Sequence, residues 1–118
     1  MGHILLAEDD DAMRTFLTGA LERAGHEVAA AADGHQALRH VEEGSFDLLI
    51  ADIVMPGIDG IELARRATRQ HPDLKVLFIT GFAAVAMNAQ REIAATKVLS
   101  KPFHLRELVD NVERILAA

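Results

Sequence analysis

The sequence predicts an α/β domain built on a single doubly wound, five-stranded parallel sheet flanked by five helices. Short apolar segments of strand length alternate with longer segments whose apolar residues recur at helical spacing. Such alternation is typical of a mostly parallel sheet with helices on both faces. The third and fourth strands are continuously apolar, as expected where both faces of a strand are buried. Without repeats, linkers or low-complexity segments, residues 1–118 are expected to form one domain.

Five segments have the length and apolar character of strands. They are residues 4–7, 28–32, 46–52, 76–80 and 97–100. The third ends in a carboxylate, Asp52, and Pro56 and Gly57 break regular structure shortly afterwards. In an open parallel sheet, chemistry collects beyond the carboxyl ends of the strands, so Asp52 is expected at the functional edge.

The five predicted helices have apolar residues three and four positions apart. They cover residues 13–24, 36–43, 60–70, 83–95 and 105–116. Asp10 or Asp11 can cap the first helix and Asp59 the third, because short polar side chains accept hydrogen bonds from free N–H groups. The apolar residues that recur at helical spacing in the first helix are Met13, Phe16, Leu17, Ala20, Leu21 and Ala24. The segment 83–95 is rich in alanine and only weakly amphipathic.

Composition excludes several classes of function. The chain has no cysteine, which excludes disulfides and thiolate metal sites. Its apolar runs are too short to span a bilayer and no signal peptide is evident, so a cytoplasmic protein without membrane contact is expected. A net charge of −6 with scattered basic residues, and no Trp or Tyr, argues against binding nucleic acid.

Charged and hydroxyl side chains follow four of the five predicted strands. Glu8 and Asp9 follow the first strand, Asp52 ends the third, Thr80 ends the fourth and Lys101 follows the fifth. Clustered carboxylates are unfavourable unless a cation compensates them. Three carboxylates suit Mg²⁺, a hard ion that takes oxygen ligands and keeps several waters.

Such a site can transfer a phosphoryl group. Asp52 is a plausible nucleophile towards phosphorus, while the metal and Lys101 neutralise the phosphoryl oxygens and Thr80 hydrogen-bonds one of them. In-line transfer needs little from a protein beyond this positioning and charge compensation.

These residues resemble the receiver domain of two-component response regulators along nearly the whole chain. The motifs that carry the resemblance occur in family order and at family spacing, at residues 4–10, 52–60, 79–81 and 101–103. The resemblance implies a flavodoxin-like, CheY-like fold without an output domain. It implies that Asp52 accepts a phosphoryl group from a histidine kinase or histidine phosphotransfer protein. Such a domain is a signalling switch and not an enzyme, since it assists only its own phosphorylation and dephosphorylation.

The resemblance also assigns the metal ligands. It implies that Asp9 binds Mg²⁺ directly, that Glu8 acts through water, and that the main-chain carbonyl of Val54 is a ligand. Thr80 and Lys101 keep the roles given above. The Lys101–Pro102 peptide is expected to be cis. Relatives occur as monomers or weak homodimers, and no residue here decides between the two.

Among receivers, residues 7–10, 80–83 and 98–103 are most similar to the stand-alone CpdR type and to receivers attached to hybrid kinases. CpdR-like proteins tune ClpXP proteolysis during the bacterial cell cycle. The end of the chain, residues 116–118, is similar to the small apolar tail that ClpX recognises. It is equally well explained as the end of an Ala-rich helix.

Two departures from the family concern the switch and the lifetime of the phosphorylated state. Many receivers carry Tyr or Phe three residues before the lysine, where this chain has Val98. Phe82 is the nearest candidate for the missing aromatic switch, or it packs under the following helix. Val54 and Phe82 are both apolar, and polar side chains there would help to hold an attacking water. Slow self-dephosphorylation is therefore expected.

Two other interpretations remain. A phosphohydrolase of the haloacid dehalogenase type also places Asp, Thr, Lys and Mg²⁺ at strand ends. That class needs a second Asp two residues after the nucleophile, where this chain has Val54, and 118 residues is short for it. The chain could also be an isolated receiver of a hybrid histidine kinase or DNA-binding regulator, against which the Met1 start and the Ala-Ala end argue mildly.

Overall fold

A computed structural model of the chain describes residues 2–81 and 97–118. The strands are β1 (His3–Ala7), β2 (Glu27–Ala31), β3 (Leu48–Asp52), β4 (Lys75–Thr80) and β5 (Lys97–Ser100). The helices in these residues are α1 (Asp11–Arg23), α2 (Gly34–Glu43), α3 (Gly60–Gln70) and the C-terminal helix (Leu105–Ala117). The predicted helix over 83–95 lies outside the described residues.

All strand pairs in the sheet are parallel, in the order β2-β1-β3-β4-β5. The order reverses direction at β1, which lies between β2 and β3. The carboxyl ends of β1, β3, β4 and β5 therefore lie side by side at one edge of the sheet, where such folds form their sites. The predicted fold class is confirmed.

The sheet is buried between two layers of helices. One core cluster joins the sheet to α2 and α3, and the other joins it to α1 and the C-terminal helix. Every residue of β3 is buried, which explains why the sequence of this strand is continuously apolar up to Asp52. In the described part of the chain, no helix is both long and apolar enough to cross a bilayer.

Carboxylates fix where three of the helices begin. Asp10 Oδ1 accepts a hydrogen bond from Met13 N at 2.9 Å, and Asp59 Oδ1 accepts one from Glu62 N at 2.8 Å, as the sequence predicts. Asp33 does the same for α2, with Gln36 N at 2.8 Å. Each cap satisfies an N–H that the first turn of a helix leaves free. The acidic run after β1 therefore contributes both a helix cap and site residues.

Phe16 shares the helical spacing of the apolar residues of α1 but does not belong to the buried face of that helix. Its side chain is 56% exposed, whereas Leu17, Ala20 and Leu21 form the buried stripe of α1. Phe16 precedes Leu17 by one position and is thus about 100° away around the helix axis, at the edge of that stripe. Helical periodicity identifies the apolar face but overestimates its width here.

Candidate functional site

Glu8 follows β1 directly and is held from several sides. Its N–H donates to Ala31 O of β2 at 3.1 Å, which extends the β1–β2 pairing by one residue. Its side chain is fully buried, and Oε2 accepts a hydrogen bond from Asp10 N at 3.3 Å. The main-chain carbonyl of Glu8 accepts a hydrogen bond from Arg14 Nη1 at 2.9 Å. The carboxylate therefore points to the carboxyl edge of the sheet in a fixed position.

Asp52 is the last residue of β3 and only 7% exposed. Its Oδ1 accepts a hydrogen bond from Val54 N at 3.1 Å. The following loop returns to the strand end, where Gly60 N donates to Ile53 O at 2.9 Å. A Cβ on Gly60 would overlap the carbonyl oxygen of Asp52, and Gly57 has φ of +77°, so the loop requires glycine at both positions. This tight loop fixes the backbone that carries Asp52.

Lys101 connects the two acidic side chains. Its Nζ donates to Glu8 Oε1 and to Asp52 Oδ2, each at 2.9 Å. Its own N–H donates to Thr80 O at 2.7 Å, which anchors the segment after β5 to the end of β4. The Lys101–Pro102 peptide is cis, as expected. The ammonium thus lies between carboxylates from β1 and β3.

The oxygens at this edge could hold a divalent cation. Glu8, Asp9 and Asp52 each place a carboxylate oxygen within 4.8 Å of the others. Asp9 is exposed, while the other two are buried. A set made only of oxygen donors, open to solvent on one side, fits Mg²⁺, which retains several of its waters.

Burial and neighbouring charges shift two pKa values at the site. Burial raises the pKa of Glu8 to about 7; the hydrogen bond from Lys101 opposes this, and the nearby Asp52 adds to it. For Lys101, burial lowers the pKa, but the hydrogen bonds to Glu8 and Asp52 outweigh it and raise the pKa above its ordinary value. Lys101 therefore stays charged, while Glu8 binds and releases a proton near neutral pH.

The structure brings the predicted strand-end residues to one edge. Glu8, Asp9 and Asp52 cluster there, with Lys101 between two of them, and Thr80 is buried at the end of the adjacent β4. The predicted role of the Val54 carbonyl as a ligand stays a prediction. Phe82, the candidate switch, lies outside the described residues.

The contact between Arg14 and the Glu8 carbonyl was not predicted from the sequence. Arg14 also donates from Nη2 to Asp11 Oδ1 at 2.6 Å. A single arginine one helical turn beyond an acidic run is the only signal that could have identified it.

Residues 4–113 match the family profile of the response regulator receiver domain. The chain belongs to this family. The receiver domain is 57% identical over 119 residues to CpdR of Brucella abortus, a match that covers all of this chain and 99% of that protein. It is 40% identical over 117 residues to the sensor kinase CckA of the same organism, but there it spans only 12% of the longer protein. The predicted family and its CpdR-like character are thus confirmed.

A solved structure shares the fold of this receiver domain. The response regulator TrrA of Thermotoga maritima, solved in complex with Mg²⁺ and beryllofluoride, superposes with a TM-score of 0.87. The two sequences are 29% identical, and the match covers 98% of this chain and 99% of TrrA.

Proposed function

We propose that this receiver domain is a Mg²⁺-dependent phosphoryl acceptor in which Asp52 takes the phosphoryl group from a phosphohistidine. The donor is a histidine kinase or a histidine phosphotransfer protein. One observation carries the proposal: the buried Asp52 carboxylate lies 2.9 Å from the Lys101 ammonium and next to two further carboxylates. Membership of the receiver family supports the same assignment.

In the proposed reaction an oxygen of Asp52 attacks phosphorus in line with the phosphorus–nitrogen bond. That bond breaks as the new phosphorus–oxygen bond forms, and the electron pair leaves with the imidazole of the donor. Lys101 stabilises the charge on the phosphoryl oxygens, and Thr80 donates a hydrogen bond to one of them. Glu8, Asp9, Asp52 and the Val54 carbonyl would hold Mg²⁺, which supplies further charge neutralisation when bound.

The phosphorylated domain is proposed to act as a switch for protein partners and not as an enzyme with turnover. Phosphorylation would shift the population between two conformations that the domain already samples. The phosphohydrolase alternative is weak, because the position where that class needs a second Asp carries Val54.

Acetyl phosphate labelling tests the proposal against the alternative. Incubation with acetyl phosphate and Mg²⁺ should add one phosphoryl group per chain, as measured by intact mass. EDTA or Asp52→Asn should abolish the label, whereas Asp110→Asn, which removes an exposed carboxylate of the C-terminal helix, should leave it unchanged. Labelling that survives Asp52→Asn, or steady turnover of p-nitrophenyl phosphate, would contradict the proposal.

The similarity to CpdR suggests a partner. We propose that the domain regulates ClpXP proteolysis, on the strength of the 57% identity along both chains. A pull-down can compare wild type, Asp52→Ala and wild type with beryllofluoride and Mg²⁺, where beryllofluoride stands in for the phosphoryl group. Recovery of ClpX in one state only would support this role, and equal recovery or none in every state would oppose it.

The apolar tail bears on the same question. Leu116 packs against the core and Ala117 is still helical, while Lys75 Nζ donates to the carbonyls of Ile115 at 2.8 Å and Ala118 at 2.7 Å. In this conformation the tail is part of the helix end. Recognition of residues 116–118 as an extended peptide would require the last turn to unwind.

A further inference from the structure

Arg14 spans the acidic segment that follows β1. It lies in the first turns of α1, and its side chain is only 21% exposed. One guanidinium nitrogen donates to the main-chain carbonyl of Glu8 at 2.9 Å, and the other donates to the Asp11 carboxylate at 2.6 Å. The side chain therefore links the end of β1 to the start of α1, on either side of Asp9 and Asp10 in the sequence.

The carbonyl that Arg14 binds belongs to the peptide unit joining Glu8 to Asp9. A hydrogen bond to this oxygen restricts rotation of that peptide plane, and hence the direction in which Asp9 leaves the backbone. On the other side, Asp10 is held by its cap bond to Met13 N at 2.9 Å and by the bond from its own N–H to Glu8 Oε2 at 3.3 Å. Asp9 is exposed, so its position depends on these neighbours.

We infer that Arg14 is a positioning residue that orients Asp9 for binding Mg²⁺. The inference rests on the proposed function and extends it to a residue that is not among the proposed Mg²⁺ ligands. Outer partners of metal ligands commonly change metal affinity by about 10- to 100-fold when they are removed. Arg14 contacts the main chain next to the ligand, so an effect at the lower end of that range is expected.

A purely electrostatic role and a positioning role of Arg14 predict opposite changes in Mg²⁺ affinity when its side chain is removed. If the guanidinium acted only as a positive charge near a cation site, its removal would strengthen Mg²⁺ binding, because like charges repel. If it orients Asp9, its removal weakens Mg²⁺ binding even though a repulsive charge is lost. The direction of the change therefore separates the two roles.

Calorimetric titration with MgCl₂ tests this inference on the intact chain. Arg14→Ala should weaken Mg²⁺ binding about tenfold. Arg14→Lys, which keeps the charge but lacks the planar fork with two separate donors, should also bind more weakly than wild type. Arg23→Ala is the matched control, because it removes the same charge from the exposed last turn of the same helix and should leave the affinity unchanged.

A second readout separates positioning from general damage. With acetyl phosphate as donor, Arg14→Ala should need about tenfold more Mg²⁺ for half-maximal labelling, yet reach the wild-type rate at saturating Mg²⁺. Wild-type or tighter Mg²⁺ binding in Arg14→Ala would overturn the inference and leave the proposed function intact. If Arg14→Ala does not fold, the Mg²⁺ affinity of Arg14→Lys decides in the same way. Absence of Mg²⁺ binding by wild type would overturn both the inference about Arg14 and the proposed function.

Discussion

Replacing Glu8 by glutamine should stabilise the metal-free protein at high pH. The side chain is fully buried, and its pKa lies near 7 in the folded chain against 4.5 for an exposed glutamate. Between these two values the folded state binds more protons than the unfolded state, so the free energy of unfolding falls as pH rises. The cost of ionising Glu8 is absent below pH 4.5 and complete above pH 7.

The size of the effect follows from the shift in pKa. Each tenfold change in proton affinity corresponds to about 1.4 kcal/mol, so moving the pKa from 4.5 to about 7 costs about 3 kcal/mol at pH 8. Glutamine has no charge to bury and can still accept the hydrogen bond from Lys101. The amide nitrogen of glutamine cannot accept the hydrogen bond that Asp10 N donates to Glu8 Oε2. Losing this bond reduces the gain in the free energy of unfolding by about 1 kcal/mol. The free energy of unfolding of Glu8→Gln should therefore exceed that of wild type by about 2 kcal/mol at pH 8.

Urea denaturation in EDTA, followed by circular dichroism, measures this difference. At pH 5 the advantage of Glu8→Gln should disappear, because wild-type Glu8 is then largely protonated. Glu22→Gln removes an exposed carboxylate of α1 and should change stability by less than about 0.5 kcal/mol at either pH. The reasoning is refuted if Glu8→Gln is no more stable than wild type at pH 8, or if its effect is the same at both pH values.

Three further substitutions, one of them compared with removal of Glu113, probe other parts of the structure. Gly60→Ala places a Cβ against the carbonyl of Asp52. It should lower the free energy of unfolding, measured by urea denaturation, by about 1–3 kcal/mol and should slow labelling by acetyl phosphate. Wild-type stability together with a wild-type labelling rate would contradict this prediction. His26→Ala should lower the free energy of unfolding by about 2–4 kcal/mol, because the fully buried ring accepts a hydrogen bond from Gly2 N at 3.0 Å. Removing the carboxylate of its half-exposed partner Glu113 should lower the free energy of unfolding by at most about 1 kcal/mol. Equal losses of stability on removing His26 and on removing Glu113 would contradict the view that the buried His26 ring supplies most of the stabilisation. Val54→Asn should shorten the lifetime of the phosphorylated state several-fold by helping to hold the attacking water, and an unchanged decay in a time course of intact mass would refute the expected slow self-dephosphorylation.

The fold could be predicted because its determinants are local. Alternating strand and helix patterns leave few arrangements for a chain of this length, and the parallel order then places Glu8, Asp52, Thr80 and Lys101 at one edge. The candidate site followed from the same step, since each of its side chains comes directly at or after a strand end. The roles of these residues in phosphoryl transfer stay predictions until they are tested.

Contacts between distant parts of the chain could not be read from the pattern. His26 shows no ligand spacing in the sequence, yet its ring joins the N-terminal residues to the C-terminal helix through Gly2 and Glu113. The exposure of Phe16 likewise depends on how α1 packs against the sheet and the C-terminal helix. Such features depend on tertiary geometry, which periodicity along the chain does not encode.

Locating the phosphoryl group after labelling tests the central claim most directly. Borohydride reduction converts an aspartyl phosphate into homoserine, and peptide mass spectrometry then identifies the residue that carried it. Homoserine at position 52, formed only when Mg²⁺ was present during labelling, is the predicted result. Homoserine at another aspartate, or none in a protein that binds Mg²⁺ and has met a competent donor, would contradict the account.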